Sequence, residues 1–271
     1  MSSHTADQDS NLFVRTIEIS DIPNLLSLLP ADGGLAWIKG STDNQFGIVG
    51  WGEVARSTFN GPERFSRAQR WWTKQCSMSK GDEPIAFASF AFDKDPGISV
   101  LVIPKVAIVR SQTGTKLIIT GDAAISDSHL AEVISDLDLP RTQVQGINNV
   151  TWLPGSRPIS EWQSAVDTAV TRINSGELDK VVLARDIVAQ LDQPIHIGAL
   201  LMRLNESFPE CWTFCVDGLV GATPELLIRR DGEQVTSRVL AGTMRRSRDT
   251  DRDGQLAAEL LDSDKDQEEY I

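Results

Sequence analysis

Residues 219–243, LVGATPELLIRRDGEQVTSRVLAGT, carry the pattern from which the rest of the chain is read. Leu226-Leu227-Ile228 runs into Asp231-Gly232, a favoured tight-turn pair, and the chain leaves through Val235, Val239 and Leu240. Apolar runs on both sides of such a pair predict a β-hairpin. Small residues stand at each end: Gly221-Ala222-Thr223-Pro224 leads to Glu225, and Ala241-Gly242-Thr243 follows the second strand. Antiparallel pairing would bring the two ends together. Glu225 would then face a glycine-bearing turn where bare backbone and a hydroxyl can approach a small ligand.

Outward from the hairpin, apolar spacing predicts both strands and helices. Leu35–Ile38 and Phe46–Val49 are short apolar runs split by Gly40-Ser41-Thr42-Asp43-Asn44, which predicts a second hairpin. Runs over 85–92, 99–109, 116–120, 178–188 and 212–216 predict strands buried on at least one face. Helical spacing covers 65–72, 126–138, 194–208 and the C-terminal stretch from Asp253. Ser160-Glu161-Trp162-Gln163 has the form of a capping box, with Trp162, Val166, Ala169, Val170 and Ile173 on one face and Gly176 as a stop. Trp71-Trp72 are packing anchors. Residues 140–157 are richer in Pro, Gly and Asn and divide the chain into an N-terminal half, 1–150, and a C-terminal region, 151–271.

The 271 residues suffice for a sizeable core, and 41% hydrophobic with 24% charged content is ordinary for a globular chain. A net charge of −12 disfavours a nucleic-acid surface, so any anionic substrate must be attracted locally by a metal or a few basic groups. Cys76, Cys211 and Cys215 are an odd set without histidines at ligand spacing, and Cys211 and Cys215, flanking an apolar strand-like run, read as reduced core thiols. No apolar run reaches the length of a membrane span, and the polar start lacks a signal-peptide core; the expectation is a cytoplasmic protein.

Four acid or base positions matter for chemistry. Lys180 opens a strongly apolar run: as an edge lysine its ammonium stays wet, whereas in a pocket it could lose its charge and accept a proton. Glu225, between small residues and an apolar hairpin, is expected to be partly buried, which favours the protonated acid. Asp266 and Glu269 share a face at i, i+3 on a helix and could present two carboxylates to Mg²⁺, although acidic runs are usually solvated helix ends. Asp249, Asp251 and Asp253-Gly254 copy half of a calcium loop, but Leu260 stands where the bidentate Glu is needed. That stretch reads as a loop opening the last helix.

Together, four blocks in order resemble the chorismate-utilising enzymes, and among them the isochorismate synthases: Ser175–Arg185, Gly221–Leu227, Leu240–Thr243, and Lys265-Asp266 with Glu269. Gly50-Trp51-Gly52-Glu53 and Phe87–Phe90 extend the likeness into the N-terminal half. The resemblance implies an α+β fold with two packed, largely antiparallel β-sheets and flanking helices, like anthranilate synthase component I. It implies a Mg²⁺-dependent isomerisation in which chorismate loses its 4-hydroxyl while water adds at C2. Lys180 would be the base activating water and Glu225 the acid protonating the departing hydroxyl. Ala241, Gly242 and Thr243 would line the ring, and Glu269 with Asp266 would hold Mg²⁺.

Lysine at 180 and alanine at 241 favour water over ammonia as nucleophile, in the manner of isochorismate and salicylate synthases. The product would feed quinone or siderophore synthesis. The family continues past the Lys-Asp block with further substrate and metal ligands, so the resemblance implies a chain incomplete at the C-terminus: part of a longer protein, or a poorly active fragment prone to self-association through unpaired edges. A complete form would be a monomer. A salicylate synthase, or a truncated relative that binds chorismate without turning it over, are the alternatives.

Overall fold

The structure is a computed structural model, and it describes residues 11–30, 33–93, 97–137, 149–238, 240 and 244–262. Strands β1 (Leu12–Ile19), β2 (Leu35–Lys39), β3 (Phe46–Trp51) and β4 (Ala55–Phe59) precede helix α1 (Arg64–Met78). Strands β5 (Ser79–Gly81), β6 (Phe87–Ser89), β7 (Ser99–Ile103), β8 (Val106–Ser111) and β9 (Gly114–Gly121) lead to α2 (Asp127–Leu137). Then come β10 (Val150–Pro154), α3 (Ile159–Asn174), β11 (Ile187–Leu191) and α4 (Ile197–Ser207). Strands β12 (Trp212–Val216), β13 (Leu219–Thr223), β14 (Leu226–Asp231) and β15 (Gln234–Arg238) are followed by α5 (Thr250–Leu261).

The chain is α+β, with two largely antiparallel sheets packed between helices. An eight-stranded sheet runs β13-β12-β2-β3-β8-β9-β1-β5, and a three-stranded sheet runs β4-β7-β6. Among the described residues, only the short β1–β5 pair is parallel. One face of the large sheet buries Ile38, Val49, Ile108, Leu117 and Cys215 under a 3₁₀ turn (Leu25–Leu28), α2 and α4. Its other face meets the small sheet through Leu35 and Val216 against Phe87, Val100 and Val102. Helix α1 closes the outside of the small sheet, with Ala68, Trp71 and Trp72 on Phe59 and Leu101. The tryptophan pair is therefore a packing anchor, as its spacing suggested.

Strand β7 shows why this region reads as an unbroken apolar run. Val100 and Val102 face the large sheet while Leu101 faces α1, so both sides need apolar groups. The expected single strand over 99–109 is in fact two, parted at Pro104-Lys105, and the halves join different sheets. Proline cannot donate to a ladder, so the corner falls there. Two further elements carried weaker signals. β1, over residues 12–19, and the 3₁₀ turn at 25–28, with Leu25, Leu26 and Leu28 buried, answer to no element expected above.

The described residues fall into two compact units, Met1–Gln143 with Ile197–Ile271, and Val144–His196. This differs from halves meeting at residue 150, because β12 leaves the C-terminal region to pair with β2. A buried amide relay fixes that return. The backbone of Leu25 donates to Gln45 Oε1 (2.8 Å), Gln45 Nε2 donates to Asn205 Oδ1 (2.8 Å), and Asn205 Nδ2 donates to the Gly40 carbonyl (2.8 Å). Gly47 sits beside it at φ +129°, where a Cβ would lie 2.1 Å from the Trp37 carbonyl; glycine alone fits.

The second unit pairs β10 with β11 antiparallel. Residues 150–154, expected as connection, are thus a strand. Helix α3 starts at Ile159 with Pro158 as its N-cap, which moves Ser160 inside the helix. The expected capping box is not formed for that reason. Ser175 and Gly176 end the helix as expected, with Gly176 at φ +75° and its amide donating to the Ile173 carbonyl (3.0 Å).

Candidate active site

The hairpin at 226–238 forms as its sequence requires. Asp231 pairs with Gln234, and Gly232 at φ +60° takes the first central position of the two-residue turn, which a type II′ turn reserves for glycine. The ladder is irregular between Leu226 and Arg229, and there Ser237 Oγ donates to the carbonyls of Leu226 (3.4 Å) and Leu227 (2.8 Å). The two strands pair with each other alone among the described residues. Leu227 is 87% exposed, Ile228 63% and Val235 60%.

Gly221 has a structural use of its own: it stands opposite Phe214, and a Cβ there would come within 2.7 Å of the phenyl ring. The ring, rather than a ligand, takes the space a side chain would fill. Glu225 follows β13, its backbone amide donating to Thr223 Oγ1 (3.2 Å). Glu225 is exposed, not partly buried as expected. No second sheet covers the hairpin among the described residues, so nothing takes its carboxylate from water.

Beside Glu225, however, a cavity of about 630 Å³ is lined by its two neighbours Pro224 and Leu226 together with Lys39, Trp212, Arg229 and Arg238. Trp212 stacks on Trp37 with centroids 5.3 Å apart, and Lys39 Nζ lies 5.9 Å from the Trp212 ring. Three cationic side chains around aromatic faces suit a flat organic anion. These residues come from β2, β12, β14 and β15, so only the pairing of distant strands assembles them. No local motif marks them.

Lys180 belongs to the second unit, Glu225 to the first. The strand expected over 178–188 begins only at Ile187, and residues 178–186 lie outside regular secondary structure. Apolar content alone does not make a strand without a partner, and Val182 is 92% exposed. The segment is tied down at its end: Asp186 accepts from the Ser156 hydroxyl (2.7 Å) and amide (2.9 Å), and those bonds hold its carboxyl below the usual range. Lys180 itself is exposed.

Ala241, Gly242, Thr243, Asp266 and Glu269 lie outside the described residues. Among the described residues, no three His, Cys, Asp or Glu side chains converge as a metal site. The half calcium loop has other work. Asp249 caps α5 by accepting from the Arg252 amide (2.9 Å), and Asp253 accepts from Arg246 Nη2 (2.7 Å) and the Ser247 amide (2.9 Å). Cys76, Cys211 and Cys215 are free thiols, and burial pushes the Cys215 thiol up. No helix among the described residues is long and apolar enough to cross a membrane.

Comparison with known proteins agrees with this architecture. The profile of a family described as chorismate binding enzyme matches residues 2–270. Isochorismate synthase MenF of Bacillus subtilis is 37% identical over 109 residues, 39% of this chain and 23% of the relative. Isochorismate synthase EntC of Escherichia coli K12 is 40% identical over 114 residues, 40% of this chain and 29% of the relative. Among solved structures, the menaquinone-specific isochorismate synthase MenF of Escherichia coli matches with a TM-score of 0.65 at 22% identity, a likeness of fold. The match takes in 96% of this chain and 61% of that one, so the chain spans about three-fifths of its length. A family match over nearly every residue, on the α+β fold just described, decides the membership: the chain belongs to the chorismate binding enzyme family.

Proposed function

We propose that the enzyme of which these 271 residues are the described sequence is an isochorismate synthase: water adds at C2 of chorismate as the 4-hydroxyl departs. The observation that supports this most directly is the family match over residues 2–270, which contains the lysine block at 175–185 and the glutamate block at 221–227. Hydroxide leaves poorly and water attacks poorly near neutral pH, so the reaction needs a base at one carbon and an acid at the other. Lys180 takes the proton from water and Glu225 gives one to the leaving hydroxyl. Ala241, Gly242 and Thr243 line the ring. Lys39, Arg229 and Arg238, beside Glu225, draw a dianionic substrate toward a chain whose overall field repels it.

Mg²⁺ belongs to the same proposal. Asp266 and Glu269 supply the oxygen donors that Mg²⁺ prefers, and the ion would neutralise a substrate carboxylate. The free thiols suit a reducing cytoplasm.

The test is to mix the purified chain with chorismate and Mg²⁺ and separate the products by chromatography. Isochorismate is the expected product. Salicylate with released pyruvate would replace the proposal by a salicylate synthase. Unchanged chorismate, with a longer homologous enzyme active alongside, would leave this chain a non-catalytic chorismate binder.

A further inference from the structure

Three Asp-Gly pairs lie among the described residues: Asp217-Gly218, Asp231-Gly232 and Asp253-Gly254. Such a pair can react with itself. The glycine nitrogen attacks the side-chain carboxyl carbon of the aspartate, because glycine has no Cβ to hinder the approach. The fold treats the three pairs differently, both at the carboxylate and at the nitrogen.

Two of the pairs are held. Asp217, at φ +52° in the turn between β12 and β13, accepts from Arg56 Nη2 (2.5 Å), and the Gly218 amide donates to the Cys215 thiol. Asp253 accepts from Arg246 Nη2 and from the Ser247 amide, and its side chain is only 21% exposed. Gly254 stands inside α5, where backbone amides are directed along the helix to the carbonyl one turn back. Asp231 has neither restraint. Its side chain is 78% exposed, and its ion pair with Arg229 Nη2 spans 3.5 Å. Gly232, at the tip of the hairpin, accepts from Arg230 Nε through its carbonyl (2.9 Å), whereas its nitrogen has no hydrogen-bond partner among the described residues. An exposed turn is also where the backbone rotates most freely.

We propose that Asp231 is a site of spontaneous isoaspartate formation, favoured by the fold over Asp217 and Asp253. The Gly232 nitrogen gives up its proton and bonds to Asp231 Cγ, the protonated carboxyl loses its hydroxyl, and the two leave as water, closing a succinimide. Water then adds back at either imide carbonyl. Opening at the former main-chain carbonyl gives isoaspartate, and opening at Cγ restores aspartate. The composition is unchanged, and water is the only co-reactant. Isoaspartate routes the main chain through Cγ and lengthens it by a methylene beside the closing pair Asp231–Gln234. That disturbs the register of the strands that carry Arg229 and Arg238 to the cavity beside Glu225.

The test incubates the purified 271-residue chain in warm, mildly acidic buffer and follows each pair by peptide mapping, with chromatography separating isoaspartyl from aspartyl peptides and mass spectrometry assigning them. Asp231 should convert several-fold faster than Asp217 or Asp253. In urea, where the restraints of the fold are gone, the three rates should come together. Arg56→Ala frees the Asp217 carboxylate and should raise conversion at 217 while leaving 231 unchanged; Arg56 is half-buried at the surface, and circular dichroism verifies the fold of the variant. No isoaspartate at 231, conversion at 217 or 253 as fast as at 231 in the folded chain, or the same spread of rates in urea would overturn the proposal. None of these readouts depends on chorismate turnover, so failure here leaves the catalytic proposal standing.

Discussion

Two apolar runs of similar composition meet opposite fates in this molecule. In Ser99–Ile103 all five residues are buried, sandwiched between the large sheet and α1. In Val181-Val182-Leu183 every residue is exposed, and so are Leu227 and Ile228 of the hairpin. The difference lies in partners, since a strand's burial is conferred by the layers on either side of it. Burial is concentrated in the sandwich of the two sheets, whereas Lys180 and Glu225, to which the chemistry is assigned, are exposed.

The largest effect expected from that contrast is catalytic. In an active enzyme, Lys180→Ala and Glu225→Gln should each lower turnover by about 10²–10⁴-fold while barely changing thermal stability. Near-normal steady-state rates in either variant would remove that residue from the proposed pair. The opposite pattern is expected of the sandwich: Ile103→Ala should cost about 2–5 kcal/mol in urea unfolding, because its side chain is fully enclosed. Leu227→Ala, on an exposed face, should stay within about 0.5 kcal/mol. Similar losses at both sites would mean that the hairpin is covered in solution.

Asn205→Ala tests the return of the chain to the N-terminal sheet. It strands Gln45 Nε2 and the Gly40 carbonyl, and should cost about 1–3 kcal/mol in the same assay. The smallest effect is at Asp21, whose carboxylate accepts from Arg110 Nε and Nη2 (2.7 and 2.8 Å) and from Thr115 Oγ1 (2.9 Å). These bonds, Arg110 first, hold its folded-state carboxyl below the ordinary value. Its contribution is therefore present above the unfolded value, about 3.9, and lost as pH falls through the lower folded one. Asp21→Asn should lower Tm slightly at neutral pH and by less at about pH 2; a constant difference would remove the ionised carboxylate as the cause.

Local chemistry was legible wherever a residue's neighbours in sequence decide its conformation. The Asp231-Gly232 turn, the Gly176 stop and the hairpin about 40–44 follow from backbone preferences. What sequence reasoning missed was decided by distant partners. Strand β1 carries its apolar residues unevenly because β9 and β5 flank it, and the strand expected from Leu178 is absent up to Asp186 for want of a neighbour. The same holds for the candidate site. Lys180 and Glu225 stand out by motif, while Lys39, Trp212 and Arg238 join Glu225's neighbours only through strands brought together from opposite ends of the sequence. Partial burial of Glu225 was inferred from flanking apolarity, and flanking apolarity does not measure cover.

The insertion of β12 beside β2 also has a consequence for synthesis. Gln45 and Asn205 are 160 positions apart, and β12 emerges after Asn205. At ribosomal rates of about 5–20 residues per second, that separation is roughly 8–30 s of translation. Throughout that interval β2 and β3 can zip together, but the free edge of β2 has no native neighbour. The nascent chain thus carries an apolar strand with an open ladder on the ribosome, a form that trigger-type chaperones are suited to shield.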